Sequence, residues 1–367
     1  MLIFIFYAVG CQNKNNTPVT GESTETDEPT NISENINTST TPTEEIPDNN
    51  WKFDTPENHG VNAALLNKLH KEIETTDILS CVIVKEGYII DEYYKDGYDE
   101  NSLFRMHSCT KSVTSALIGI AIDKGLLSGV EAQLTDFFPQ LATSDNPYRQ
   151  EMTILHLLEH TSGIEWPEWN GPIFRPFVTS QNWVEFIFAQ PMAAKPGSTF
   201  NYTTGGSHLL SALLQQATGE TAYDFALKHV IKPVGMDSVQ WSADPQGITD
   251  GGNGIYMSAR DAAKFGQLYL NNGRWGEKQI IPEEWVREST KPQSAGYTRY
   301  GKYGYQWWVK AFGENGAYNA YYALGHGGQY IFVVPELKLV TVITSLSSAN
   351  VYTPQPYFND YVIAACG

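Results

Sequence analysis

The 367-residue sequence predicts an α+β fold. One antiparallel sheet is built from both ends of the chain and flanked by helices, with a mainly helical region inserted between about residues 136 and 250. Two observations lead there. Strand-length runs rich in β-branched and aromatic residues stand near both ends of the folded part. The middle instead carries apolar residues at helical spacing, bounded by capping residues and glycines. Pairing the terminal runs in one sheet leaves a cleft against the insertion, the default place for a site.

The elements follow in order. Residues 63–73 read as a helix. Residues 81–85 and 88–94, parted at Gly87, read as a β-hairpin. An apolar helix opens at Ser108, runs through Leu126 and stops at Gly129. In the insertion, Thr153 caps a helix to His160 with Gly163 beyond it. Residues 183–189, residues 207–217 ended by Gly219, and residues 223–230 give three more. Residues 305–309, 330–334 and 339–344 are the returning strands, with Pro335-Glu336 as the last turn. Residues 359–365 close the chain as a helix.

Net charge is −17, and no basic cluster offsets it, which argues against nucleic acid and against anionic lipid as electrostatic partners. Residues 12–50 hold eight acids against a single Lys14, and are dense in Thr, Asn, Ser and Pro. Such a segment cannot bury enough apolar surface to offset its ordering entropy, so a disordered acidic linker is expected there. Before it, an apolar run leads through Ala8-Val9-Gly10 to Cys11 and resembles a bacterial lipoprotein signal, although no Lys or Arg precedes the run. The run is too short to span a bilayer. The expectation is a signal over residues 1–11 and a hydrolase domain over 51–367. That domain would be lipid-anchored at Cys11 in the bacterial cell envelope, with no other membrane contact. Cys81, Cys109 and Cys366 suggest free buried thiols, with Cys81 to Cys366 the one candidate bridge.

Ser108-Cys109-Thr110-Lys111 carries the chemistry. A Ser and a Lys three residues apart share one helix face. A Ser hydroxyl is a poor nucleophile until a base takes its proton, and burial turns a Lys amine into such a base by disfavouring its charged form. A Ser at a helix start also lies near the positive end of the dipole, where an oxyanion is stabilised. About one Ser-x-x-Lys is expected by chance in a chain of this length, so alone the match equally describes a helix start followed by a surface Lys. Tyr202, after Lys195-Pro196-Gly197 and before a helix, puts a phenol where it can pass protons between nucleophile and leaving group. As one of 21 tyrosines it equally reads as core. Gly325-His326-Gly327-Gly328-Gln329 runs into a strand, where glycines let a substrate approach the backbone and a strand edge offers an oxyanion N–H.

Ser108-x-x-Lys111, Tyr202 and His326-Gly-Gly stand in the order and rough spacing of the serine β-lactamase-related family. That family includes class C β-lactamases, D-alanyl-D-alanine carboxypeptidases, β-lactamase-fold esterases and 6-aminohexanoate-dimer hydrolases. Leu157-Leu-Glu-His160-Thr-Ser-Gly163 and the stretch from Gly252 to Gly266 resemble it too. The resemblance extends from about Trp51 to the C-terminus and implies a β-lactamase/D,D-peptidase-like fold. It implies an acylated Ser108, with acid–base work shared by Lys111 and Tyr202. An oxyanion hole would come from the N–H groups of Ser108 and Gln329, with Thr204, His326, Gly327 and Gly328 against the substrate. No cofactor and no metal are implied. Two departures matter. Thr204 stands where an Asn amide is usual, and His326 where penicillin-targeting members carry Lys. Both favour a small-molecule ester, linear amide or peptide substrate, as in the esterase and 6-aminohexanoate-dimer hydrolase branch, over a β-lactam.

The sequence also admits two rival readings. His156-Leu-Leu-Glu-His160 also matches a zinc-protease signature, although no third ligand is evident. A tethered cell-wall or β-lactam sensor that acylates once is the non-enzymatic alternative.

Overall fold

Strands β1 (Lys52–Phe53), β2 (Ile78–Lys85) and β3 (Tyr88–Tyr94) come from the N-terminal side of the folded chain. A separate small sheet joins β4 (Phe104–Arg105), β5 (Val239–Trp241) and β6 (Ile255–Met257). A short pair follows, β7 (Arg274–Trp275) with β8 (Lys278–Gln279). The chain then returns through β9 (Ser294–Tyr297), β10 (Gly301–Tyr303) and β11 (Trp308–Phe312). It finishes the sheet with β12 (Tyr318–Gly325), β13 (Gln329–Val334) and β14 (Leu339–Ser345). This computed structural model describes residues 51–168, 172–346 and 354–367. The expected signal, Cys11 anchor and acidic linker lie outside the described residues.

The main sheet has the order β1-β3-β2-β14-β13-β12-β11-β10-β9, so the two ends of the domain meet at the β2–β14 pair. All neighbours are antiparallel except β1 with β3. Successive side chains of a strand point to opposite faces. On β2, Val82 and Val84 join a core shared with the helical region, whereas Cys81 and Ile83 join a second core on the other face. Burial on both faces explains why β2 reads as a continuous apolar run rather than an alternating one.

Four longer helices frame the sheet. The first, α1 (Ala63–Ile73), is capped by Asn62, whose side chain accepts from the N–H groups of Ala64 and Leu65. It buries Leu66, Leu69 and Ile73 in the second core. The others are α2 (Thr110–Asp123), α3 (Thr204–Thr218) and α4 (Ala259–Leu270). Among the described residues, no helix is long and apolar enough to cross a membrane.

Several expected boundaries are corrected. The helix placed at Ser108 begins as a 3-10 turn over His107–Cys109 and ends at Asp123, short of Leu126. The helix placed at residue 207 starts at Thr204. The stretches at 223–230 and 359–365 each contain a π-helical turn, over Leu227–Ile231 and Phe358–Ile363. The strand placed at 305–309 starts only at Trp308, because Gln306 has φ 65° and turns its amide to the carbonyls of Leu157 and Leu158. Strands β9, β10 and β12 were not expected. Cys81 and Cys366 are free rather than bridged: Cys81 is buried in the second core, and Cys366 sits half-buried at the chain end.

Candidate active site

Ser108 sits in the tight turn that opens into α2. His107, just before it, has φ 47°, a left-handed conformation uncommon for a residue with a side chain. Thr110 Oγ1 donates to the His107 carbonyl, and Asn253 Oδ1 lies 3.3 Å from the His107 ring nitrogen. Both contacts hold the turn. Gly325, at the end of β12, passes so close that a Cβ there would lie 2.2 Å from the Met106 carbonyl. The sheet edge and the turn that carries Ser108 are therefore fitted directly together.

Lys111 lies one turn into α2 and is only 1% exposed. Its Nζ donates to Ser108 Oγ at 2.9 Å, to Thr204 Oγ1 at 3.0 Å and to the Gly252 carbonyl at 2.7 Å. It also lies 4.9 Å over the ring of Tyr202. Burial lowers its pKa to about 8, against the opposing pull of Glu168 and Asp250. The carbonyl of Gly252 is aimed by Asp250, whose carboxylate accepts from the N–H groups of Gly252 and Asn253. A Cβ on Gly252 would meet the Thr204 carbonyl at 2.7 Å, so this approach needs glycine.

Tyr202 precedes α3 and is 2% exposed. Its ring packs on His160 with centroids 4.5 Å apart and stacks on Trp308 at 5.7 Å. His160 Nδ1 accepts from the Thr203 N–H, and its carbonyl accepts from the Asn201 N–H. Buried and held neutral, His160 braces the segment that carries Tyr202. His156 turns elsewhere, its Nδ1 accepting from the Thr153 N–H. The two histidines of the zinc-protease signature thus have separate local partners, and no group of three or more His, Cys, Asp or Glu able to hold a metal occurs among the described residues.

A cavity of about 400 Å³ opens over Ser108. Tyr202, Trp308, Phe174 and Leu324 give it apolar walls, and Arg105, His107, Asn253, His326 and Glu168 add polar groups. Lys111 and Thr204 stand behind the wall, touching it through Ser108 and Glu168. Gln329 opens β13 with its side chain fully buried, bonded to Ser345 and to the His326 carbonyl. The Cys109 thiol donates to the Gln329 carbonyl at 3.5 Å, so the backbone of Gln329 lies beside the turn that carries Ser108. Gly327 and Gly328, at φ 77° and 96°, shape the turn between β12 and β13. His326 is exposed at the cavity rim, its ring 5.6 Å from that of His107. Burial, with Arg105 and His326 nearby, lowers the His107 pKa to about 3.

Glu168 was not anticipated. Its Oε1 accepts from Thr204 Oγ1 at 2.5 Å, and its Oε2 accepts from the Thr204 N–H at 2.9 Å and from Trp166 Nε1 at 2.5 Å. Thr203, the N-cap of α3, makes no capping side-chain bond, so Glu168 supplies a carboxylate at that helix start from a distant loop. No periodicity or motif marks position 168. His107, a polar residue next to Ser108, was the more visible omission.

A half-buried Ser bonded to a buried Lys at the base of an apolar cavity, between a mixed sheet and a helical region, defines a β-lactamase-fold serine hydrolase. The β-lactamase family model matches residues 74–360, and the chain belongs to that family. The 6-aminohexanoate-dimer hydrolase of Paenarthrobacter ureafaciens is 22% identical over 313 residues, covering 78% of this chain and 76% of the relative. Among solved structures, a putative 6-aminohexanoate-dimer hydrolase from Bacillus anthracis superposes with a TM-score of 0.69 at 23% identity, covering 80% of each chain. EstCE1, described as a hydrolase with promiscuous acyltransferase activity, does so with a TM-score of 0.69 at 18% identity, covering 83% of this chain and 98% of that one.

Proposed function

We propose that this protein hydrolyses an ester or linear amide through an acyl-enzyme on Ser108. The observation that carries this reading is the 2.9 Å contact between Ser108 Oγ and the buried Nζ of Lys111, at the base of an open cavity. Ser108 Oγ attacks the acyl carbon while its proton passes to neutral Lys111. The carbonyl oxygen becomes an oxyanion held by the N–H groups of Ser108 and Gln329. Its collapse breaks the bond to the leaving group, which takes the proton from Lys111 with Tyr202 assisting. Water then attacks the acyl-enzyme, giving its proton to Lys111, and the Ser108–acyl bond breaks as the proton returns to Ser108.

Thr204 and His326 support an ester or linear amide over a penicillin, since neither supplies the side-chain amide or the fixed cation that a β-lactam would meet. Relatives described as a 6-aminohexanoate-dimer hydrolase and as a hydrolase with acyltransferase activity point the same way. Gly327 and Gly328 let the substrate approach the β13 edge, and the ligand is a small acyl compound or short peptide. We further propose that Cys11 anchors the domain in the cell envelope. Loss of lipid labelling in Cys11→Ser tests this.

The site is tested by intact-protein mass after brief exposure to a fluorophosphonate. One adduct on the parent and none on Ser108→Ala is the expected result. An adduct on both would sink Ser108 as nucleophile. Repeated turnover of a p-nitrophenyl ester separates the hydrolase from a sensor that acylates once.

A further inference from the structure

Lys111 Nζ has three hydrogen-bond partners, and one arrangement of protons satisfies them all. An amine nitrogen on a side chain has three positions to fill besides its carbon. Here three oxygens lie within reach: Thr204 Oγ1, the Gly252 carbonyl and Ser108 Oγ. A carbonyl only accepts. The Thr204 oxygen is restricted too, because its single proton is given to Glu168 Oε1 at 2.5 Å, leaving lone pairs towards Lys111. When Lys111 is neutral, its two protons go to these two acceptors. The lone pair is left facing Ser108, whose hydroxyl proton it must take.

We propose that Glu168 is a positioning residue that turns the Thr204 hydroxyl away from Lys111 and so keeps the amine lone pair directed at Ser108. This rests on the acyl-transfer reading above and adds the residue that orients its base. Glu168 is well held for the task. Its other oxygen accepts from the Trp166 indole and the Thr204 backbone, so the carboxylate is fixed on both sides. Without it, the Thr204 proton is free to swing onto the Lys111 nitrogen and compete with Ser108 for the lone pair.

Glu168 also bears on charge. The groups facing Lys111 are Glu168 from the loop after Gly163, Asp250 beside Gly252, Tyr202 before α3, Cys109 on its own turn, and the neutral His107 and His160. Burial lowers the Lys111 pKa to about 8, and Glu168 is the larger of the two carboxylate influences raising it. Removing that carboxylate therefore moves the titration of Lys111 to lower pH as well as freeing Thr204. A purely structural prop would not move that titration.

The test uses the full chain and a p-nitrophenyl ester, followed from about pH 6 to about pH 10 to bracket the Lys111 titration. Parent, Glu168→Gln, Thr204→Ser, Thr204→Val and the Glu168→Gln/Thr204→Val double variant are compared. Glu165→Gln, which neutralises an exposed carboxylate on the same loop, is the control and keeps the parent profile. In Glu168→Gln, plateau kcat is expected to fall roughly 10- to 100-fold, part of a general-base contribution, with KM little changed. Its acidic limb moves to lower pH. Thr204→Ser, which keeps the hydroxyl, falls less than Thr204→Val, Thr204→Val falls as far as Glu168→Gln, and the double variant falls no further. An acidic limb in Glu168→Gln that stays at the parent pH overturns the proposal, as do losses that multiply in the double variant. Should Glu168→Gln fold poorly, Thr204→Ser against Thr204→Val decides, and equal losses in both overturn it. Ser108→Ala runs alongside: ester hydrolysis that survives there removes the acyl-transfer reading itself.

Discussion

At the residue scale, the proposed reaction depends on a lysine buried enough for its pKa to fall to about 8 and held among three oxygens. A group that must be neutral to act gives a rate that rises with pH and levels off above its pKa. For Lys111 the value is about 8, so kcat/KM for a neutral ester should rise through that region and plateau above it. The limb belongs to Lys111 rather than to His107, which burial keeps neutral down to about pH 3. Lys111→Arg keeps a cation of similar reach but one that does not deprotonate. It should lose roughly 100- to 10,000-fold in kcat, the usual contribution of a general base, with no new limb up to about pH 10. Activity near parental in Lys111→Arg would move the base elsewhere, with Tyr202 first in line.

At the element scale, the Lys111 amine sits where three chain segments meet: the turn before α2, the start of α3 and the loop before β6. Glycines make the meeting possible. Gly252→Ala would put a methyl 2.7 Å from the Thr204 carbonyl, which is backbone and cannot swing aside. The loop must retreat and take the Gly252 carbonyl away from Lys111. The expected result is at least a tenfold loss in kcat with a destabilisation of about 1–3 kcal/mol, the range for overpacking, read by ester turnover and urea unfolding. An unchanged kcat would mean that the carbonyl is dispensable. The parts of the site that the sequence made legible are those with local grammar: a helix spacing for Ser108 and Lys111, and a glycine pair before a strand for Gly327 and Gly328. Glu168 had none, because Thr204, the partner that brings it to the site, stands 36 positions away in sequence and only tertiary folding brings the two together. The strand misplaced at 305–309 failed for a related reason. Trp307 is apolar because it fills the core, and the backbone at Gln306 is bent by amide bonds to residues nearly 150 positions earlier.

At the scale of the whole molecule, a sheet closed by both ends of the domain buries polar groups that any one element would leave in water, and this couples stability to pH. His107 and His160 are 7% and 1% exposed, and burial lowers the pKa of each. Folded, they stay neutral where the unfolded chain, with an ordinary histidine pKa near 6.5, takes up protons. The unfolded state therefore binds more protons as pH falls below about 6.5, and their stabilising effect, complete above that pH, is progressively lost. At pH 5 the loss should reach about 2 kcal/mol for each imidazole that stays unprotonated. Glu159, raised to about 7 by burial, works in the opposite sense over part of the same range, so the parent's curve alone does not isolate the histidines. The informative comparison is the parent with His160→Gln, each unfolded in urea at about pH 7.5 and about pH 5. The variant loses the Thr203 contact and should be less stable at the higher pH. Its further loss on acidification should be smaller than the parent's by about 2 kcal/mol. If both lose the same amount, His160 takes up its proton in the folded state, and the segment carrying Tyr202 is more open to water than its packing on His160, Tyr303 and Trp308 implies.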